Sequence, residues 1–337
     1  MRSALRPRRA SWRGLALAIG AAAALVTAVS CGVTSTVTVP GLYAYSANPL
    51  YAPAAVLESG GDHALAAELK TITQTPSGIW ATGQPGDIAM VRSVTVAAGR
   101  AHAIPVIVAY NLPGRDACGK LSAAPSLSAA GYEKWIDQLA GAIGAGHDIV
   151  IVEPDGLPDI VRGCLSPAAS AERYQLLRYA MKELGRLPRA RVYLDAGDPG
   201  MFADPAQLAA PLVAAGLRDG RGFSANVSNF GWTADLVTWS QHLERALGGP
   251  VGAVIDTSRN GRGPYTGPDA PQWCNPPGRA LGPAPRLNPG PAGIDAYLWI
   301  KDPGASDGAC RTGPAAGQFW PAYAAALAQA ALAGANS

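Results

Sequence analysis

The sequence predicts an α/β protein built as a (β/α) barrel, and three observations carry that prediction. Short, continuously apolar runs such as "DIVIVEP" (148–154) recur along the chain. Helical patterns such as "AERYQLLRYAMKELGR" (171–186) lie between several of them. Polar residues, chiefly Asp and Asn, gather just after the runs. Apolar strands alternating with helices indicate a parallel sheet covered on both faces.

Taken in order, the strand-like runs are "GIWAT" (78–82), "PVIVAY" (105–110), "DIVIVEP" (148–154), "RVYLDA" (191–196), "GFSANVS" (222–228), "VGAVIDT" (251–257) and "AYLWIK" (296–301). Helical patterns are read over 131–145, 171–186, 204–217 and 233–248, with an Ala-rich helix near 320–334. Seven such units in one domain fit a (β/α) barrel of irregular form. An open doubly wound sheet is the runner-up.

The chain has 337 residues, 48% hydrophobic and 15% charged, which suits one large globular domain and at most two. The first 31 residues stand apart. Arg2, Arg6, Arg8, Arg9 and Arg13 precede the apolar "GLALAIGAAAALVTAVSC", and no acid occurs before Glu58. A basic head followed by an apolar stretch reads as an export signal. An uncleaved membrane anchor is the competing reading. Cys31 sits where a lipoprotein signal places its lipidated cysteine, with ordinary cleavage near Ala28 as the alternative. Residues 32–44 read as a spacer, and 45–335 as the catalytic domain.

Without the five signal arginines, 22 basic side chains face 24 acidic ones. The basic balance belongs to the signal, so no nucleic-acid partner is expected. Membrane contact is expected only through an N-terminal lipid anchor. Cys118, Cys164, Cys274 and Cys310 remain, an even number that suggests two disulfides in an exported protein. No Cys/His pairing at zinc spacing, GxSxG elbow, P-loop or GxGxxG occurs. Neither metal nor cofactor is expected.

Polar chemistry follows the strands with regularity. "NLPGRD" with Asp116 follows "VIVAY", Asp155 follows "IVIVEP", and Asp195 closes "VYLD". Asn226 and Asn229 close the next strand, Asp256 opens "DTSRNG", and Lys301 and Asp307 follow "YLWI". In barrels the carboxyl ends of the strands carry the active site. A single Asp there is ordinarily a helix cap; several on one end point to function. Trp80, Trp232 and Trp273 lie beside these carboxylates in Gly/Pro-flanked contexts and are read as platforms for sugar rings. Trp135 and Trp299 are read as core, and Trp239 and Trp320 are left undecided.

Carboxylates, tryptophans and no nucleotide motif fit glycosidic bond cleavage. That reaction uses one protonated carboxylic acid for the leaving oxygen and often a second carboxylate to activate water. An acid stays protonated near neutral pH through burial or a nearby like charge. Asp155, delivered by a buried strand, meets the first condition, and Asp116 is the candidate for the second. Asp195 and Trp232 are expected to contact substrate.

The motifs "YNLPGRDAC" (110–118), "VIVEPDGL" (150–157), "YLDAGDPG" (193–200), "SANVSNFGW" (224–232), "IDTSRNG" (255–261), "WCNPPGRALG" (273–282) and "DAYLWIKDPGASDG" (295–308) resemble, in order, those of glycoside hydrolase family 6. Members of that family are inverting endoglucanases and cellobiohydrolases acting on β-1,4-glucan. The resemblance covers residues 45–335 and implies an irregular seven-stranded (β/α) barrel. It implies Asp155 as proton donor and Asp116 as the aspartate that tunes it and helps the water relay. Tyr110 matches the tyrosine beside the scissile sugar, Ser122 the serine that holds the water, and Asp307 the carboxylate proposed as base. Trp80, Asn229, Trp273 and Lys301 match sugar-binding positions. The cysteines would pair as Cys118–Cys164 and Cys274–Cys310.

The chain departs from the family pattern at three positions. Asp198 stands for a sugar-binding histidine, Met201 for a stacking tryptophan, and Ala305 for a glutamate. These favour a soluble or different β-glucan over crystalline cellulose. The expectation is a secreted, monomeric, inverting β-1,4-glucanase with an open cleft and endo action. A catalytically weakened, glycan-binding envelope lipoprotein of the same fold is the alternative, and a purely structural envelope lipoprotein is a third class.

Overall fold

A computed structural model describes residues 41–123, 127–269 and 271–335. The expected export signal, Cys31 and residues 32–40 of the expected spacer lie outside the described residues. Residues 41–44, expected as the end of that spacer, are tied into the fold: Leu42 is buried and pairs in parallel with Ile104.

Six parallel strand pairings and one antiparallel pairing build one curled sheet. Its strands are β1 (Gly78–Ala81), β2 (Val106–Ala109), β3 (Ile149–Val152), β4 (Arg191–Asp195), β5 (Gly222–Ala225), β6 (Gly252–Asp256), β7 (Arg286–Leu287) and β8 (Ile294–Leu298). The order is β1-β2-β3-β4-β5-β6-β8-β7. All neighbours are parallel except β7, a two-residue strand antiparallel to β8. The seven expected strands are therefore present, with one short edge strand added. Gly78 N–H donates to the Trp299 carbonyl at 2.8 Å, so the curl brings the first strand to the chain leaving β8. A side chain at Gly78 would collide with the Ile300 carbonyl oxygen, so this seam requires glycine.

The strands of four or five residues are buried on both faces. On β3, Ile149 and Ile151 join the inner cluster with Val106, Val108, Val254 and Leu298. Val150 and Val152 point the other way and pack under the helices with Ile107, Ala109 and Leu194. This alternation with no polar face is the signature of a doubly covered parallel sheet.

The covering helices are α1 (Ala52–Ser59), α2 (His63–Thr73), α3 (Asp87–Arg100), α4 (Ala129–Ile143), α5 (Gly156–Val161), α6 (Pro167–Gly185), α7 (Ala209–Ala214), α8 (Thr233–Ala246) and α9 (Pro321–Ala335). Local chemistry sets their starts. Ser128 caps α4 through the Gly131 N–H, and Ser166 caps α6 through Ala169 N–H with Pro167 at the first helical position. The single helix expected over 204–217 is instead a 3₁₀ turn (Pro205–Leu208), then α7, then a second 3₁₀ turn. Pro211 lacks the N–H that a continuous helix would use, and Gly216 turns left-handed after it. No helix among the described residues is long and apolar enough to cross a membrane.

Candidate active site

A cleft of about 1580 Å³ opens beyond the carboxyl ends of the strands. Ten of the expected site residues line it: Trp80, Tyr110, Asp116, Ser122, Asp155, Asn229, Trp232, Trp273, Lys301 and Asp307. They come from loops far apart in sequence, brought together only by the curl of the sheet.

Asp155 is set by the turn that ends β3. Glu153 and Asp155 both adopt left-handed backbone conformations, φ 49° and 64°, on either side of Pro154. Such conformations are uncommon for non-glycine residues and persist only where surroundings hold them. Here Glu153 is fully buried and its carboxyl accepts from Asn111 N–H, Leu112 N–H and the Tyr132 hydroxyl. Burial raises its pKa to about 7. The buried glutamate therefore anchors the β2 and β3 tips to each other, and Asp155 projects from that anchored turn.

The Asp155 side chain is partly exposed to the cleft yet surrounded by protein. Burial, followed by the like charges of Asp195, Asp159, Asp116 and Asp198, holds its pKa well above the ordinary carboxylate value. Asp116, expected as the like charge, contributes, but Asp195 comes first among the neighbours.

Asp195 corrects the sequence reading in a second way. It was expected to contact substrate, but it is 1% exposed and does not line the cleft. Its Oδ2 accepts Asp155 N–H at 3.0 Å and Gly197 N–H at 3.3 Å, and its Oδ1 accepts the Ser224 hydroxyl at 3.1 Å. Position at a strand end does not reveal depth; this carboxyl points under the cleft floor. Its pKa is raised to about 7 by burial.

Asp116, Ser122 and Tyr110 form one hydrogen-bonded chain. Ser122 donates both its N–H (2.6 Å) and its hydroxyl (2.9 Å) to Asp116 Oδ2. With that proton committed, the Tyr110 hydroxyl donates to Ser122 Oγ at 2.8 Å. Burial and then the Asp155 carboxyl raise the Tyr110 pKa far above its ordinary value, so the phenol stays protonated. Asp116 itself has φ 55°, and Gly119 lies so close that any side chain there would strike its carboxyl. Arg115 staples this loop by donating to the Thr82, Tyr110 and Ser122 carbonyls. Asp159 holds it from below by accepting Ala117 N–H at 2.7 Å and pairing with Arg173.

Asp307 is engaged on every side. Arg259 grips it with two nitrogens at 2.8 and 3.0 Å, Lys301 approaches to 3.3 Å, and Asn275 N–H donates at 3.0 Å. Burial alone would raise its pKa, but Arg259 and Lys301 outweigh burial and hold it below the ordinary value. A carboxylate so stabilised is a weak base. Arg259, fully buried, escaped the sequence reading, as did Glu153, Asp159, Arg173 and Arg115. The only signal was a cation inside "IDTSRNG", which reads as a loop charge.

The aromatic residues divide as follows. Trp80 sits in β1 and donates to the Ile300 carbonyl at 2.9 Å while packing edge-on to Tyr110. Trp232 and Trp273 are 51% and 39% exposed at the cleft. Trp135, Trp239 and Trp299 are buried, and Trp320 stacks on Tyr323. Of the departures from the family pattern, Asp198 and Met201 line the cleft, and Ala305 is buried at its edge.

Both expected disulfides are formed, Cys118–Cys164 and Cys274–Cys310. Asp159 lies beside the first, within 4.8 Å of both sulfurs. Those sulfurs are joined to each other, so this cluster offers no thiolate to a metal.

A sequence model described as "Glycosyl hydrolases family 6" matches residues 41–331. The chain is 41% identical over 273 residues to Endoglucanase 1 of Streptomyces sp. (strain KSM-9), covering 80% of this chain and 73% of the relative. It is 40% identical over 278 residues to Endoglucanase A of Cellulomonas fimi, covering 80% of this chain and 57% of the relative. Among solved structures, the endoglucanase Cel6 from Mycobacterium tuberculosis, in complex with methyl-cellobiosyl-4-deoxy-4-thio-β-D-cellobioside, superposes with a TM-score of 0.78 at 40% identity. That match covers 88% of this chain and 98% of the other. The family match and these relatives run through the whole curled sheet and its cleft, and this chain belongs to glycosyl hydrolases family 6.

Proposed function

We propose that the protein is an exported, inverting endo-β-1,4-glucanase in which Asp155 is the general acid. The observation that carries this reading is the position of the Asp155 carboxyl. It faces the cleft while burial and four neighbouring aspartates keep it protonated. A protonated carboxyl can deliver its hydrogen to the glycosidic oxygen as the bond to the anomeric carbon breaks.

In an inverting reaction a water attacks the opposite face of the sugar. The Asp116–Ser122–Tyr110 chain supplies the groups for it: Ser122 Oγ retains a lone pair to accept from the water, and Asp116 takes the displaced proton through Ser122. Asp307, expected as base, serves better as the anchor that holds Arg259 and Lys301 at the cleft, because both already neutralise it. Trp80, Trp232 and Trp273 offer ring faces to the apolar sides of glucose units.

Endo action is supported by relatives named as endoglucanases and accords with the exposure of Trp232 and Trp273 at the cleft. The Mycobacterium tuberculosis relative holds a thio-linked β-glucan oligosaccharide derivative, which favours a β-1,4-glucan as ligand here. Export rests on the N-terminal sequence and accords with two disulfides. The retained Asp116, Asp155 and Ser122 arrangement argues against the weakened, binding-only alternative.

The test is to incubate the purified protein with carboxymethylcellulose and with mixed-linkage glucan. The expected result is release of reducing ends with an early fall in viscosity, and first-formed product of α configuration by proton NMR. No reducing ends would overturn the enzymatic reading, and β product would overturn inversion.

A further inference from the structure

The turn after β4 places Asp198 on the cleft wall with its carboxyl fixed at both ends. Its Oδ1 accepts Gly200 N–H at 2.7 Å, and its Oδ2 accepts the Asn229 side-chain amide at 2.7 Å. It is 7% exposed and faces the cleft. Burial raises its pKa; the Gly200 and Met201 N–H groups, then the charge of Arg162, also on the wall but beyond ion-pair distance, and the Asn229 amide oppose that rise.

The pair has a consequence for what the wall displays. A carboxylate offers no donor, so Asn229 must turn its Nδ2 toward Asp198 and its carbonyl oxygen away. Each Asp198 oxygen keeps a second lone pair after its existing bond. Three oxygens therefore outnumber the one amide hydrogen left over, and two of them belong to the Asp198 carboxyl.

We propose that Asp198 is a specificity-determining residue: its fixed carboxylate, with the Asn229 carbonyl it turns outward, makes this stretch of wall acceptor-rich and selects sugar units that present donor groups there. The inference rests on the glucanase reading of the cleft. Both hydroxyls and the protonated 2-amino group of a glucosamine unit satisfy such a wall. The amine does so more strongly, because a bond between two charged partners is roughly twice as strong as a neutral one. A β-1,4-linked chain carrying glucosamine units thus suits this cleft as well as a plain glucan.

The experiment uses the Asp155→Asn protein, in which turnover is removed and binding can be read at equilibrium. Cellotetraose and the β-1,4-linked glucosamine tetramer are titrated at pH 6 by calorimetry, with and without a second change, Asp198→Asn. The second change keeps the size of the side chain, removes the charge and lets the Asn229 amide flip. The glucosamine tetramer is expected to bind the parent at least as tightly as cellotetraose. Asp198→Asn is then expected to weaken cellotetraose by roughly tenfold and the glucosamine tetramer by clearly more. Asp198→Ala, checked for folding by its thermal transition, should do the same. An unchanged ratio of the two affinities, or no binding of the glucosamine tetramer to the parent, overturns the proposal while leaving the glucanase reading intact. Failure of both oligosaccharides to bind the parent would overturn that reading and the proposal together.

Discussion

The backbone N–H of Asp155 donates to the carboxyl of Asp195 at 3.0 Å, so one buried group both aims the acid and opposes its ionisation. The same geometry does two tasks. The hydrogen bond helps hold the left-handed turn at Asp155, and as pH rises through about 7 and Asp195 ionises, its negative charge opposes ionisation of Asp155.

Removing that charge should move the pH profile. A general acid works while protonated, so activity falls as pH rises through its pKa. In Asp195→Asn the strongest like charge on Asp155 is gone, and its folded pKa drops. The alkaline limb of kcat/KM against pH is expected to shift to lower pH, with the acidic limb in place. An unmoved alkaline limb would show that Asp195 is only a scaffold.

Ser122→Ala cuts the link between Tyr110 and Asp116. Loss of one positioned proton relay is expected to lower kcat by about 10²-fold. The cost to stability should stay near 1 kcal/mol, since a single partly buried hydroxyl is lost. A denaturation curve beside the kinetics separates the two. Equal kcat in both proteins would remove Ser122 from the water path.

Arg259→Met leaves Asp307 with Lys301 as its remaining cationic partner in a buried site. Breaking a buried ion pair on one side costs about 3–5 kcal/mol. Because the Asp307 pKa is held below its ordinary value, its contribution is present above the unfolded carboxylate range and disappears as pH falls through the folded value. The variant should therefore lose most stability at neutral pH and differ less from the parent in strong acid. Urea denaturation at two pH values checks this, and a loss under 1 kcal/mol at neutral pH would contradict it.

Four buried carboxyls have the opposite linkage. Asp148 and Asp302 are raised to about 6, and Glu153 and Asp195 to about 7, each chiefly by burial. A raised acid contributes stability that is full below the unfolded pKa and lost as pH rises through the folded one. The protein is expected to have a higher thermal midpoint near pH 5 than near pH 7.5. Asp148 lies at the opposite end of β3 from the cleft, with its Oδ2 unpartnered. Asp148→Asn should flatten the slope between about pH 4 and 6. A midpoint that rises with pH across this window would contradict the assignment.

The barrel was legible because its strands are buried on both faces, and runs such as "IVIV" in β3 cannot be anything but covered. The helices α1, α2 and α3 were not; α1 has little contrast between its faces, whereas α2 carries a regular buried stripe of Ala66, Leu69 and Ile72 and α3 one of Val91, Val94 and Ala98. Strand β7 exists only through its pairing with β8, which no local pattern announces. Asp155 could be read from the strand tip that delivers it. The grip of Arg259 on Asp307 spans 48 residues of sequence and is created by the fold alone. Asp195 was misplaced for a related reason: alternation gives the side of a strand, whereas depth beneath a loop depends on what the neighbouring strands bring over it.

The central claim is that Asp155 donates the proton that breaks the glycosidic bond. Its most direct measurement is reducing-end release from mixed-linkage glucan by the parent and by Asp155→Asn, with oligosaccharide binding followed by tryptophan fluorescence in both. The expected result is a loss of turnover of about 10²–10⁴-fold with binding retained. Turnover in Asp155→Asn within a few-fold of the parent would contradict the account.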